Sequence, residues 1–199
     1  MALPIPSYIY TIIFYMKSEK QKMIMGELYN AMDEELVRDR LQARFLLKRY
    51  NDSAPDQIVT RQQILNDLIP EQGSGLYIEP PFYCDYGANI KIGNKVYFNF
   101  SCTILDVMQV TIGDNTLFGP SVQIYTAMHP IDWKERSSGL EFAKPVSIGS
   151  HVWVGGGAII CPGVSIGDRS IIGAGSVVTR DIPDNVFAAG NPCKIIKSL

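Results

Sequence analysis

The chain is poor in the residues that build metal centres and disulfide frameworks. Its 199 residues contain two histidines and four cysteines, and the cysteines are far apart, with no CxxC pair. A structural zinc site therefore lacks closely spaced ligands, and a disulfide-stapled fold is equally disfavoured. Free thiols in a reducing compartment are the simpler interpretation, so we expect a cytoplasmic protein that requires no metal.

A strong net charge and a long apolar run are also missing. The formal net charge is −2, without a basic patch for nucleic acid or an acidic tail. The uncharged start "MALPIPSYIYTIIFY" is too short to span a bilayer, and it lacks the basic residues and cleavage site of a secretory signal. We treat residues 1–17 as an apolar N-terminal extension and expect neither a nucleic-acid nor a membrane partner.

Helix-start signals follow this extension. Ser18 with Gln21, and Thr60 with Gln63, match the capping box, in which two side chains bond the free backbone N–H groups of a first turn. Asp33 precedes two glutamates, and acidic residues are favourable at the positive end of a helix. These signals predict three helices before residue 70, of which the third, "RQQILNDLI", is short.

The second helix has the clearest pattern. The segment "EELVRDRLQARFLLKRY" places Val37, Leu41 and Phe45 at four-residue steps between basic residues, which predicts an amphipathic helix. Residues 18–70 are thus predicted to form an N-terminal helical unit. After them, in residues 71–199, the pattern changes.

A six-residue repeat dominates residues 71–199. Aliphatic or aromatic residues recur at this step, with one two-residue insertion: Ile92, Phe98, Ile104, Ile112, Phe118, Ile124, Ile148, Val154, Ile160, Ile166, Ile172 and Val178. A small or aliphatic residue stands two positions before each of them. A period of six fits neither a helix nor an isolated strand, but it fits a coil of short strands with these residues pointing inward. Three hexapeptides make one triangular coil, so the repeat predicts about four coils.

The repeat is interrupted between Ile124 and Ile148. This step of 24 residues is still a multiple of six, so the coil resumes in phase. Residues 127–145 are therefore predicted to form a loop that leaves the coil and returns. The loop carries His129, and a long loop on a rigid scaffold is a usual place for function. His151 falls on a coil turn and is expected to be structural.

Several segments together resemble the hexapeptide-repeat acyltransferases, and most closely their maltose/galactoside O-acetyltransferase group. They are "GELYNAMDEELVRDR", "IEPPFYCDYGANIKIG", "TAMHPID", "GLEFAKPVSIGSHVWVGGGAIICPGVSIGD", "IGAGSVVTRDIP" and "AAGNPCK". The resemblance implies a mainly β protein, a left-handed parallel β-helix with a small N-terminal helical unit and a protruding loop. It also implies a homotrimer that moves an acetyl group from acetyl-CoA to a hydroxyl of a small sugar acceptor.

The resemblance assigns catalytic roles to three residues. His129, in "TAMHPID", matches the catalytic histidine, and a neutral imidazole suits a general base at physiological pH. Glu141 matches a position near that histidine and could orient the imidazole, or it could be a solvated loop carboxylate. Asn99 matches an asparagine whose amide could stabilise the oxyanion, or it could cap a coil turn.

Substrate positions follow from the same resemblance. Asp85, Tyr97 and Asp106 match residues that line the acceptor pocket, where carboxylates would accept hydrogen bonds from sugar hydroxyls. At Asp85 the family varies. Asn30 stands where the family often has Asp, a further departure near the acceptor side.

Further matched positions concern acetyl-CoA. Trp153, Gly156 and Ala174 match positions along the pantetheine arm. Thr179, Arg180, Lys194 and Lys197 match positions that meet the nucleotide phosphates, although the family often has Arg at the last two, where Lys loses the bidentate geometry. Ordinary surface bases are the alternative interpretation.

Three other functions remain open at this point. A β-helix carbonic anhydrase resembles the repeat but needs three zinc-binding histidines, and this chain has two. A non-catalytic β-helix binding module would not need His129, Asn99 and Trp153 together. An acetyltransferase of the same fold could act on an antibiotic, serine or a nucleotide sugar instead.

Overall fold

The computed structural model describes residues 17–199, so the predicted extension at residues 1–17 lies almost entirely outside the described part. The helices of the described part are α1 (Glu19–Ile24), α2 (Glu34–Asn51), α3 (Ile58–Leu68) and α4 (Trp133–Arg136). The strands are β1 (Tyr29–Asn30), β2 (Glu71–Gln72), β3 (Tyr77–Ile78), β4 (Tyr83–Cys84), β5 (Ile90–Ile92), β6 (Tyr97–Phe98), β7 (Thr103–Leu105), β8 (Val110–Ile112), β9 (Leu117–Phe118), β10 (Gln123–Tyr125), β11 (Ala127–Met128), β12 (Leu140–Ala143), β13 (Val146–Ile148), β14 (Trp153–Val154), β15 (Ile159–Ile160), β16 (Ser165–Ile166), β17 (Ile171–Ile172), β18 (Val177–Val178), β19 (Val186–Ala189) and β20 (Lys194–Ser198).

The strands wind into a three-sided parallel β-helix. Face 1 contains β2, β5, β8, β13 and β16; face 2 contains β3, β6, β9, β14, β17, β19 and β20; face 3 contains β4, β7, β10, β15 and β18. The chain passes through faces 1, 2 and 3 in that order in every coil, and neighbouring coils pair in parallel, apart from the antiparallel last pair β19–β20. The β-helix predicted from the repeat is therefore confirmed.

The twelve residues that recur at the six-residue step, here called rung residues, form the core of this β-helix. Each of the twelve rung residues, and each residue two positions before it, is buried. Phe98 and Phe118 stack on successive coils with ring centroids 4.3 Å apart. The repeat nevertheless predicted too few coils. Strands β2, β3 and β4 form an additional first coil, in which Gln72 is a polar residue at an inward position, and Ile78 and Cys84 lack the glycine that follows many later rungs.

A column of polar side chains holds the corner between faces 1 and 2. The side-chain oxygen of each column residue accepts the backbone N–H of the column residue in the preceding coil, at 2.7–3.1 Å; the acceptors are Asn94, Asp114, Ser150, Asp168 and Asp184. The residue after each acceptor has a left-handed conformation, with φ between 54° and 58°. His151 is one of these turn residues.

The helices of the N-terminal unit cap the first coil, with one correction to their predicted surfaces. Ser18 and Gln21 form the predicted capping box, and Asp33 caps α2. The stripe Val37, Leu41 and Phe45 of α2 is exposed, however. The helix buries a different set instead, namely Leu36, Ala43, Leu47 and Tyr50, most of which pack against the first coil.

A second correction concerns α3. The predicted capping box at Thr60 is wrong, because Thr60 lies inside the first turn of a helix that begins at Ile58 after Gln57. Within residues 17–199 no helix is long and apolar enough to cross a membrane.

The inward and outward positions of one strand give a test of this core. Ile112 and Thr111 are neighbours in β8, with Ile112 buried and Thr111 exposed on the polar face 1. We expect Ile112→Ala to lower the free energy of unfolding by about 2–5 kcal/mol, because it leaves a cavity between coils. Thr111→Ala is the matched control and should change it by less than about 0.5 kcal/mol. Denaturant unfolding measures both, and equal effects would contradict the assigned direction of the side chains.

Candidate active site

The loop of residues 127–145 is fixed at both ends where it leaves the corner between faces 3 and 1. The hydroxyl of buried Thr126 donates to the carbonyl of Leu105 at 2.7 Å and accepts the N–H of Met108 at 3.0 Å. The N–H of Lys144 donates to the carbonyl of Thr126 at 3.0 Å and closes the base of the loop. The loop therefore departs from a rigid root.

His129 is the first residue after β11 and is exposed, whereas the next residue, Pro130, is buried. The Nη1 of Arg136 donates to the carbonyls of Pro130 and Ile131, both at 2.9 Å. Asp132 caps α4 by accepting two backbone N–H groups. This local network holds the backbone around His129 and leaves the imidazole accessible.

Glu141 lies on β12 directly opposite Tyr29 of β1. Its Oε2 accepts a hydrogen bond from the Tyr29 hydroxyl at 2.9 Å. Within residues 17–199 the imidazole of His129 makes no side-chain hydrogen bond, so orientation of His129 by Glu141 stays a prediction. The sequence does not predict the hydrogen bond from Tyr29 to Glu141, because the two residues are 112 positions apart.

Asp85 and Asp106 lie on successive coils at the same corner as the loop, but their surroundings differ. Asp85 is half-buried, whereas Asp106 is completely buried. Oδ1 of Asp106 accepts the N–H groups of Asp85 and Tyr86 at 2.9 and 3.0 Å. Its Oδ2 is buried without a hydrogen-bond partner among the described residues. In this conformation Asp106 supports the backbone beneath Asp85, and its predicted contact with an acceptor stays a prediction.

Burial also changes the acidity of this corner. It raises the pKa of Asp106 to about 7, although the backbone N–H groups of Tyr86 and Asp85 partly oppose the change. Burial raises the pKa of Asp85 as well, and the nearby charges of Arg40 and Arg44 oppose it. The corner therefore combines two carboxyl groups of raised pKa with two guanidinium groups.

Arg40 is a site residue that the sequence analysis did not single out. Its guanidinium donates to the Tyr86 hydroxyl at 2.6 Å and to the carbonyl of Ala31 at 2.5 Å, and it lies 5.7 Å from the centroid of the Tyr86 ring. It thereby ties α2 to the first coil. Nothing local in the sequence distinguishes it from the other basic residues of α2.

A second group of predicted residues lies at face 2 and at the corner between faces 2 and 3. Tyr97 and Trp153 occupy outward positions on face 2, in one column with Leu117. Gly156 and Ala174 follow on the corner of the fourth and fifth coils. A Cβ on Gly156 would lie 3.1 Å from Cδ and O of Pro120, so the small residue also has a structural cause.

Asn99 occupies the same corner two coils earlier. Its backbone N–H donates to the carbonyl of Phe118 at 3.0 Å, and its side-chain Oδ1 accepts the N–H of Phe100 at 2.7 Å. Within residues 17–199 the amide nitrogen of Asn99 donates no hydrogen bond. The donor end of this side chain is therefore available to a ligand.

The predicted phosphate-binding residues are divided between two places, and all of them are exposed. Thr179 and Arg180 follow β18, at the corner that carries the loop. Lys194 and Lys197 lie on β20, opposite Ala189 and Phe187 of β19. A register shift in this pair leaves one extra residue on β20, so both lysines project from the same side of the strand although they are three residues apart.

One chain therefore does not bring all the predicted residues together. His129, Glu141 and Asp85 lie at the corner between faces 3 and 1. In a three-sided prism this corner is opposite face 2, which carries Tyr97 and Trp153. Among residues 17–199, no group of three or more His, Cys, Asp or Glu side chains is placed to hold a metal ion.

Comparison with known proteins identifies this architecture. Residues 22–73 match the maltose acetyltransferase hexapeptide capping motif, and residues 145–180 match six repeats of the bacterial transferase hexapeptide. Nodulation protein L of Rhizobium meliloti strain 1021 is 52% identical over 179 residues, which cover 90% of this chain and 98% of the relative. The chain belongs to the hexapeptide-repeat acyltransferases.

Two solved structures place this acyltransferase near the maltose and galactoside O-acetyltransferases. A maltose O-acetyltransferase from Clostridium difficile 630 is 48% identical, with a TM-score of 0.91 over 92% of this chain and 98% of that one. A galactoside acetyltransferase in complex with coenzyme A is 40% identical, with a TM-score of 0.89 over 92% of each chain. The predicted family is confirmed, and the chain is an acetyltransferase.

The buried carboxyl group of this acetyltransferase gives a pH-dependent prediction. The pKa of Asp106 is about 7 in the folded chain against an ordinary 3.8, so ionisation opposes folding. This penalty is absent below about pH 4, grows as the pH rises to about 7, and amounts to at most about 4 kcal/mol above that. Asp106→Asn keeps one acceptor oxygen and cannot ionise. We expect the change that Asp106→Asn makes in the free energy of unfolding to be more favourable at pH 8 than at pH 5.

The matched control is Asp114→Asn, which changes a half-buried aspartate of the corner column that also accepts a backbone N–H. Denaturant unfolding at several pH values measures both variants. If Asp106→Asn and Asp114→Asn show the same pH dependence, the ionisation of Asp106 does not govern stability.

Proposed function

We propose that this enzyme transfers the acetyl group of acetyl-CoA to a hydroxyl group of a small sugar, with His129 as general base. The observation that carries the proposal is the exposed imidazole on a loop whose root and inner turn are both fixed by hydrogen bonds. The relative crystallised with coenzyme A and the relative named as a maltose O-acetyltransferase support the donor and the acceptor class.

The proposed reaction has one tetrahedral intermediate. Neutral His129 takes the proton of the acceptor hydroxyl while the oxygen attacks the thioester carbonyl. The free amide of Asn99 donates a hydrogen bond to the oxyanion that forms. Collapse of the intermediate expels the thiolate of coenzyme A, which receives the proton from the imidazolium.

An acyl-enzyme is not part of this proposal. Cys84 and Cys102 are buried in the β-helix core, and burial raises the pKa of both thiols, for Cys102 to about 11. A thiol in this state is a poor nucleophile, because the thiolate is the reactive form. Direct attack of the acceptor on acetyl-CoA needs no such intermediate.

The acetyl-CoA path is proposed to follow the corner of Gly156 and Ala174 past Trp153. These two small residues leave room for the pantetheine arm beside the backbone. The side-by-side lysines Lys194 and Lys197 offer two charges to phosphates, and Thr179 and Arg180 offer further contacts. Their affinity for the nucleotide should fall with salt, because exposed charges are screened.

Asp85, Tyr97 and Asp106 are proposed to define the acceptor pocket, in which Asp85 has the accessible carboxylate. The sugar class rests on the relatives, and another small acceptor of the kinds named above is the alternative. A panel of maltose, glucose, galactosides, serine and an aminoglycoside, assayed with acetyl-CoA, separates them. Acetylation of serine or the antibiotic alone would overturn the sugar assignment.

We also propose a homotrimer with a site at each subunit contact. The outward residues of face 1 are polar, whereas those of face 2 form an apolar column: Tyr77, Tyr97, Leu117, Trp153, Ile171 and Phe187. Such a column on an isolated chain favours a partner surface. If face 2 of one subunit meets the loop corner of the next, three contacts close a ring and join His129 to the neighbour's Asn99.

The role of His129 predicts a selective kinetic defect. His129→Ala should lower kcat by about a hundred- to ten-thousand-fold, because general-base catalysis contributes that factor, and leave coenzyme A binding nearly unchanged. In the wild type the pH dependence of kcat should include one step that requires His129 and is absent from the variant, whereas a step that comes from Asp106 should remain in both. His151→Ala is the matched control and should keep this pH profile. A His129→Ala enzyme within a few-fold of wild type, or a trapped acetyl-cysteine, would rule out the mechanism.

The shared site predicts complementation between inactive subunits. His129→Ala and Asn99→Ala subunits, each nearly inactive alone, should recover up to about a quarter of wild-type activity when unfolded, mixed in equal amounts and reassembled. A quarter of the contacts then join an intact His129 to an intact Asn99. Light scattering checks that the mixture is trimeric. Trimers that stay inactive would indicate that each site belongs to one chain.

A further inference from the structure

A small three-stranded sheet connects the N-terminal helical unit to the loop of His129. Its order is β1–β12–β11. Tyr29 of β1 pairs with Glu141 of β12, and Phe142 of β12 pairs with Met128 of β11. His129 follows Met128 directly. The backbone of the proposed base is therefore two strands away from Tyr29.

A separate hydrophobic cluster packs around this sheet. Its buried members are Met23, Tyr29, Leu36, Tyr86, Val107 and Ala143, and partly buried Ala31, Met108 and Ala127 pack against them. They come from the helical unit, from the corners of the first coils and from the loop. The cluster is thus a second core, distinct from the core of the β-helix.

Within residues 17–199, Tyr29 is the one member of this second core whose side chain forms a hydrogen bond with a candidate catalytic residue. Its side chain is completely buried, and its hydroxyl donates to Oε2 of Glu141 at 2.9 Å. Burial and the Glu141 carboxylate raise the pKa of Tyr29 far above its usual range, so the hydroxyl stays protonated and remains a donor. A carboxylate accepts at both oxygens, so Oε1 of Glu141 can still receive the N–H of an imidazole.

We infer that Tyr29 is a positioning residue for acetyl transfer: its hydroxyl holds the Glu141 carboxylate, and this pair holds the loop that presents His129. The inference rests on the proposed function, since it assigns a role within the same site. It gives the N-terminal helical unit a part in catalysis through Tyr29. A purely structural Tyr29 would affect stability alone.

The chain contains a matched control for this hydroxyl. Tyr50 is also buried, and its hydroxyl donates to the carbonyl of Ile78 at 2.5 Å, but it belongs to the core of the β-helix. Tyr29→Phe and Tyr50→Phe each remove one buried donor and keep the ring. We expect both to lower Tm by about 2–4 °C, because each loses one hydrogen bond.

The two variants should differ in catalysis. Tyr29→Phe should lower kcat by about tenfold, since small displacements of catalytic groups are costly, and leave KM for acetyl-CoA within about twofold of wild type. Tyr50→Phe should leave kcat unchanged. Equal kcat values for wild type and Tyr29→Phe would overturn the inference.

A double-mutant cycle tests whether Tyr29 acts through Glu141. In a Glu141→Ala background the hydroxyl has no carboxylate to hold, so adding Tyr29→Phe should leave kcat the same within about twofold. A further tenfold loss in the double variant would show that Tyr29 acts by another route, and the inference would be wrong.

A readout without acetyl transfer separates this inference from the proposed function. Amide hydrogen exchange of residues 127–145 should become faster in Tyr29→Phe and stay at the wild-type rate in Tyr50→Phe. If the wild type acetylates no sugar, the proposed function fails, and faster exchange would still support the contact of Tyr29 with the loop. Unchanged exchange in Tyr29→Phe would overturn the positioning role whatever the reaction is.

Discussion

Backbone hydrogen bonds between successive coils hold equivalent residues of all coils in vertical columns, and every site residue of the β-helix depends on that register. Tyr97, Leu117, Trp153 and Ile171 follow one another in such a column without a slip. Because side chains alternate along each short strand, one residue points into the core and its neighbour points out. The insertion or deletion of one residue in a strand would therefore turn its inward side chains to the surface and its outward side chains to the core.

This constraint limits where functional residues can be inserted. The chain departs from the six-residue step at the corner between faces 3 and 1, by two residues before β5 and before β8 and by the whole loop before β13. Asp85, Asp106 and His129 all lie in these insertions. From β13 to β18 the corners are short, so the last coils keep an uninterrupted outer surface beside Gly156 and Ala174. The irregular and the regular parts of one scaffold thus offer two different kinds of surface.

The sequence predicted those features that depend on local spacing. The inward residues and the departure of the loop follow from the period of six alone, since each hexapeptide repeats one local geometry. The column of Asp114 and Asp168 also has a local pattern in the sequence, because Asp, Asn or Ser follows the glycine at that corner. Its hydrogen bonds join different coils, however, and the local pattern does not predict them. The helix α2 was predicted correctly, but its buried face was not, since Ala43, Leu47 and Tyr50 pack against the first coil although the exposed stripe is more regular.

Candidate site residues could be named from the sequence, but their arrangement could not. The pairing of Tyr29 with Glu141 joins residues 112 positions apart and leaves no local pattern, and the contact of Arg40 with Tyr86 joins residues 46 positions apart. The sequence also does not show that the candidate site residues lie on two opposite sides of one chain. Only the order of the three faces shows that the corner between faces 3 and 1, which carries the loop, is opposite Trp153 on face 2. Which residues of two distant segments meet depends on the number of coils between these segments and on the length of each corner.

The two hydrophobic cores have different consequences for the loop of His129. The core of the β-helix runs through all coils, whereas the second core contains six buried residues from the N-terminal helical unit, the corners after β4 and β7, and the loop. Local opening costs less free energy where few apolar contacts are lost. The segment that carries the proposed base is therefore held by the less extensive core, while the corner of Asn99 belongs to the more extensive one. A buried hydrogen bond such as that from Tyr29 to Glu141 consequently contributes a larger share of the order of the loop than an equal bond would contribute inside the β-helix.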